Sequence, residues 1–262
     1  MSRYLRLYLH FLRFSYSKAM TFRLEFFFRI FMDLSYYVLN LIFFKTLFLH
    51  TDSFGGWDSN QMIVFIGFFL TVDAINMTVF ANNMWWMPIF INRGDLDYYL
   101  IRPVSSLFFL SLREFAANSF INLFMSFGIL VWGLITINWQ FSTANCLLLL
   151  ILILCGSLLY YFLHLLTIIP TFWTQSARGF VDMFWPMTRL MERPDRIYQG
   201  LARVIFTYLL PFTLMASYPS RLILESFDWM ILLHISGITI IFFILVLRLW
   251  KFGLRFYSSA SS

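Results

Sequence analysis

"INRGDLDYYLIRPVSS", Ile91 to Ser106, sits between two long apolar runs and carries four charges, Arg93, Asp95, Asp97 and Arg102. Read as a helix, Asp95 is a natural N-cap behind the flexible Gly94. Asp97 then places negative charge in the first turn and Arg102 positive charge in the last. Pro103 disfavours helical geometry at the residue before it, so the helix is expected to stop near Arg102. That leaves about two turns, with Leu96, Tyr99 and Leu100 on one face at the i, i+3, i+4 spacing. A helix so short is not stable alone in water. Its aromatic and aliphatic face suits the groove of a partner protein; the alternative is an ordinary polar loop between two spans.

The runs on either side decide the setting. Of 262 residues, 60% are hydrophobic, 21% aromatic and only 12% charged, and the mean hydropathy is +0.75. A water-soluble domain is excluded, and an integral membrane protein is expected. Arg3, Arg6, Arg13 and Lys18 interrupt the first apolar residues, which argues for a retained N-terminus rather than a cleaved signal peptide. Cys146 and Cys155 belong to one apolar run and are too far apart on a helix to bridge, so both read as packing residues. Neither metal chemistry nor a nucleic-acid partner is expected.

A spanning helix needs about 20 largely apolar residues. Six segments meet that rule: Ile30–Leu49, Met62–Met87, Phe108–Ile135, Cys146–Ile169, Thr171–Leu190 and Trp229–Trp250. Before the last of them, Ile197–Leu210 and Phe212–Tyr218 are apolar but broken by proline and too short to span, as re-entrant helices are. At the head of the chain, Arg6, His10, Arg13 and Ser17 fall on one helical face and Leu5, Leu9 and Leu12 on another. That pattern describes a helix lying in the headgroup layer.

Lys and Arg cluster before the first span, between the second and third, and after the last, while the loops after the first and third hold none. The bias places both termini and Ile91–Ser106 in the cytoplasm. Arg189, Arg193, Arg196 and Arg203 run against it, and are expected to meet lipid headgroups, substrate, or acids such as Glu192 and Asp195.

"GDLDYYLIRPVSSLF" resembles the segment between the second and third spans of ABC-2 type exporter permeases, in the branch that includes viologen and multidrug exporters. "RPDRIYQGLARVIFTYLLPFTLMASYPSRLIL" is similar to that branch's second signature through Pro194, Tyr198, Pro211 and Pro219. The resemblance implies an all-α polytopic fold, a single transmembrane domain over 1–262 with six spans. It also implies an interfacial helix at 1–25, a cytoplasmic coupling helix at 94–102 and a re-entrant region at 194–225. Gly94, Asp95, Leu96, Asp97, Tyr99, Leu100, Arg102 and Pro103 would then meet an ABC ATPase dimer, which holds the ATP and Mg. A second permease subunit, the same chain or a paralogue, would face this one in a bacterial inner membrane. The sequence has no G-x-x-x-x-G-K-[ST] loop, so if the chain is a pump its ATPase is expected to be another polypeptide.

Ionisable residues inside spans are functional candidates. Asp73 has no local partner in sequence, whereas Asp33 can meet Arg29 one turn back. Gln175, Arg178 and Asp182 make the fifth segment the most polar, so they are candidates with Asp73 for a pathway or a subunit interface. His164 reads as a hydrogen-bonded packing residue, and the tryptophans near span ends as an interfacial belt. The competing classes are a membrane-embedded lipid-modifying enzyme and a non-transporting anchor subunit. An enzyme would need convergent nucleophile, base or metal ligands; the four scattered histidines and two cysteines do not supply them. The expected function is export of small amphipathic molecules, drugs or lipids.

Overall fold

The computed structural model describes residues 2–21, 23–174 and 179–257, with side chains at all of these except 2–5, 18–21, 23 and 25. Helix α1 (Ser2–Thr21) leads into α2 (Arg23–Leu47). The chain continues through α3 (Ser59–Val79), α4 (Ala81–Arg93), α5 (Asp97–Leu100), α6 (Ser106–Leu112), α7 (Ser119–Thr136) and α8 (Thr143–Ile168). Short α9 (Thr171–Thr174), α10 (Phe184–Thr188) and α11 (Gly200–Val204) follow, then α12 (Thr213–Leu224) and α13 (Trp229–Gly253). The only β feature among the described residues is an isolated bridge between Phe54 and Trp57.

Among the described residues five helices are long and apolar enough to cross a membrane: Phe26–Leu47, Ser59–Val79, Ser119–Thr136, Thr143–Thr174 and Trp229–Gly253. Three of the long helices, α3, α8 and α13, start where a polar side chain takes the first amide groups. Asp58 accepts from the Asn60 and Gln61 amides while Gln61 accepts from the Asp58 amide, a complete capping box for α3. Ser142 caps α8 and Asp228 caps α13.

Helix α3 is the buried centre and packs most extensively on α7. A side chain at Gly67 would come within 2.5 Å of the Leu130 Cα, so small residues permit this close approach. Helix α2 lies outside, exposing Phe27, Phe31, Leu39 and Ile42.

Two ends of the bundle are defined by contacts. At one, the Tyr257 hydroxyl donates to the Gly94 carbonyl (2.6 Å) and Phe172 packs on Trp250. At the other, Pro194 lies against Gly55, and Ile223 and Leu224 lie beside Gln61 and Asn138. Between Thr174 and Pro194 the chain therefore changes ends, but the expected helix Thr171–Leu190 is not there. Helices α9 and α10 are single turns separated by turns at 179–183 and by residues outside the description. Separate turns, such as the Phe184 amide on the Val181 carbonyl (3.0 Å), serve the backbone there, and Trp185 packs on His164 of α8.

The second and third expected spans are each interrupted as well. Met62–Met87 breaks at Phe80, between α3 and α4, and Phe108–Ile135 breaks at residues 113–118, between α6 and α7. The segment from Gly200 to Leu224 bends by 96° between a helical arm ending at Leu209 and α12. A salt bridge from Arg196 to Glu225 (2.7 Å) closes the two ends of this hairpin together. It thus enters and leaves the bundle at the same end.

Candidate functional site

At the Gly94 end, α4 stops because Gly94 adopts a left-handed conformation, φ 78°, which costs glycine little. The helix that follows is shorter than expected. It runs over Asp97–Leu100 behind Leu96, so Asp95 is not its cap but an exposed residue of the turn. Tyr99 is buried among Phe90 and Phe109, and its hydroxyl accepts from Arg113 Nη1. Leu96 is wholly buried. The expected docking face of Leu96, Tyr99 and Leu100 is therefore corrected: two of these anchor the turn to its own bundle. Tyr98, Leu100 and Ile101 are the exposed apolar residues, Ile101 at 80%. Helical spacing groups Leu96 with Tyr99, as observed, but does not say whether that face turns toward the bundle or toward a partner.

Arg102 sits over the Tyr98 and Phe109 rings at 4.4 and 4.7 Å, just ahead of the exposed Pro103, and stiffens the exposed edge. From α13, Trp250 Nε1 donates to Ser106 Oγ (3.3 Å) beside the Tyr257–Gly94 bond. Burial, and after it the neighbouring Asp97 carboxylate, raise the Tyr257 hydroxyl above the usual tyrosine range, so it remains a donor.

The two breaks above this turn are joined. Asn83 Nδ2 donates to the Glu114 carbonyl (2.7 Å) and Asn83 Oδ1 accepts from the Glu114 amide (3.1 Å). The Ala116 amide donates to the Thr78 carbonyl (2.9 Å), and the Phe115 amide to Ser15 Oγ on α1 (2.9 Å). Backbone groups freed by a break inside a membrane need such partners. Helix α1 thus seats Tyr8 and Ser15 on the break and leaves Arg6, His10 and Arg13 exposed.

Deeper in the bundle, acids gather. Asp73 accepts from the Tyr160 hydroxyl (3.3 Å), and Tyr36 donates to Glu192 Oε1 (3.0 Å). Glu192 and Asp33 both lie within electrostatic reach of Asp73. Asp33 accepts from Asn122 and has Arg29 nearby. Of the expected pathway residues, Asp73 is interior, Asp182 is exposed, and Gln175 and Arg178 lie outside the described residues. Tyr36 and Tyr160 were not legible as partners of these acids, since they come from other helices. A cavity of about 650 Å³ opens beside Tyr36 and Glu192, walled by Phe43, Phe44, Phe54, Arg189 and Arg193.

The hairpin at the far end is built on Asp195, whose side chain is fully buried. Its Oδ1 accepts from Ser217 Oγ (2.7 Å), and Arg203 and Arg221 each lie 3.4 Å from Oδ2. Pro194 caps the turn, Tyr198 donates to the Leu190 carbonyl (3.1 Å), Pro211 sits buried at the bend, and Pro219 lies inside α12. Burial raises the Tyr198 hydroxyl. His164 stacks on Phe184 (4.2 Å), and both cysteines are free. Among the described residues no group of three or more His, Cys, Asp or Glu could hold a metal ion.

Comparison with known families matches residues 34–261 to the family described as ABC-2 family transporter protein. No curated protein and no solved structure matches the chain.

Proposed function

The chain belongs to the ABC-2 transporter family as a membrane-spanning component, and on that premise we propose that it is the permease of an ATP-driven exporter of small amphipathic molecules. The ATPase is a separate dimer that holds ATP and Mg, and it docks on the turn between α4 and α6. A second permease faces this one, against the exposed apolar side of α2. Both termini and the docking turn lie in the cytoplasm of a bacterial cell, and the membrane is the inner one, as the distribution of Lys and Arg supports.

One observation carries this reading: a short helix whose Tyr99 and Leu96 are locked inward while Tyr98, Leu100 and Ile101 project outward. Such an arrangement offers apolar anchors on a rigid mount. Gly94, Asp97 and Arg102 shape that mount, Asp95 and Pro103 border it, and α4 and α6 carry its motion to the joined breaks. Asp73, Gln175, Arg178 and Asp182 remain the proposed pathway or interface residues.

The test is Leu100→Asp with Ile101→Asp in a permease that still reaches the membrane. Loss of the co-purifying ATPase, with an unchanged melting profile, is expected. Full retention of the ATPase would remove the docking role.

A further inference from the structure

The far-end cavity contains the unusual charges. Arg196 is paired with Glu225, Arg203 with Asp195, and Arg221 with both acids. Arg189 and Arg193 form no ion pair among the described residues, yet both line the same cavity. The one acid in its wall, Glu192, already accepts the Tyr36 hydroxyl. Tyr36 lies near the middle of Phe26–Leu47, so the cavity runs along a helix long enough to span, not only over an outer loop.

Both arginines are exposed at the mouth of the cavity, where a guanidinium beside an apolar span can meet water or an incoming anion. Two forks on one wall match the oxygens of a phosphate or carboxylate. Phe43, Phe44 and Phe54 give the same cavity an apolar wall that accepts a hydrocarbon tail. Glu192 opposes an anion and holds the formal net charge of the wall to a single positive unit, which moderates its hold on the head.

We propose that Arg189 and Arg193 hold the phosphate or carboxylate head of an amphipathic molecule whose tail lies along Phe43, Phe44 and Phe54. As an assignment of substrate class this rests on the exporter reading; as a binding site it stands alone. The head can belong to a bilayer lipid or to a single-tailed exported molecule.

The experiment uses the purified full chain without any ATPase, so its failure leaves the docking proposal untouched. Dodecyl phosphate, with dodecyltrimethylammonium as the cationic control, is titrated and bound molecules are counted by native mass spectrometry. Arg189→Gln with Arg193→Gln should weaken dodecyl phosphate about tenfold or more. Arg189→Lys with Arg193→Lys, which keeps both charges, should lose less and decides the matter if the first pair does not fold. Glu192→Gln, whose amide oxygen still accepts from Tyr36, should tighten binding. Displacement by phosphatidylglycerol would identify a lipid site, and dodecyl phosphate binding without such displacement a site for single-tailed molecules. Unchanged binding in both arginine pairs, tighter binding of the cation than of the anion, or arginine variants that only dissociate a permease dimer would overturn the proposal.

Discussion

The turn at Gly94 and the hairpin at Asp195 are both irregular backbone within a helical bundle, and they are held by opposite means. At the first, no carboxylate is gathered: Arg102 and Arg113 lie over aromatic rings, Arg113 donates to Tyr99, and Asn83 and Thr78 take up the backbone of the adjoining break. At the second, a fully buried carboxylate gathers Ser217, Arg203 and Arg221, and Arg196 locks to Glu225. Ring packing and hydrogen bonds spread over several neighbours hold the turn as one body with them. A buried charge is held only while its partners stay in place, so the hairpin is secure when closed and costly to open partway.

The largest expected effect is at Asp195. Its replacement by Ala removes the buried acceptor that Ser217, Arg203 and Arg221 share; Arg203 is itself half-exposed and Arg221 keeps Glu225, so the loss comes from the charge-assisted hydrogen bonds, about 3 kcal/mol or more together. A drop in melting temperature with retained ATPase co-purification is expected; loss of ATPase binding as well would mean the two ends are not independent. Tyr99→Ala should come next, at about 3 kcal/mol for a buried aromatic ring. This variant should lose both stability and ATPase docking, unlike the exposed-face variant at Leu100 and Ile101. A wild-type melting profile with lost docking would return Tyr99 to the contact surface. Asn83→Ala is the mildest of the three, at roughly 2 kcal/mol for two buried backbone groups left unmet. Proteolysis or hydrogen exchange should show residues 113–118 opening while the hairpin stays protected. Equal protection at both would mean that the Asn83 pairs do not hold the break.

Much of the membrane architecture was legible because apolar length is a local sum, and Gly94 and Pro103 punctuate the turn by their own backbone preferences. The break at 113–118 was not. Its residues, Arg113 to Asn118, include neither glycine nor proline. Only Asn83, Thr78 and Ser15, brought from other helices, make an interruption there affordable. The same limit hid the direction of the short helix: spacing groups Tyr99 with Leu96, and Arg113, Phe90 and Phe109 turn that face into the bundle.

By itself, the sequence determined that this chain is a helical membrane protein with a short interhelical turn and a proline-broken hairpin, because hydropathy and backbone propensity act within a few residues. The tertiary structure alone decided which side chains the turn displays, where the spans break, and that Tyr36 meets Glu192 across 156 positions. Each of those outcomes depends on a partner supplied by a distant helix, and in a low-dielectric bundle an unmet polar group costs more than the local preference it overrides.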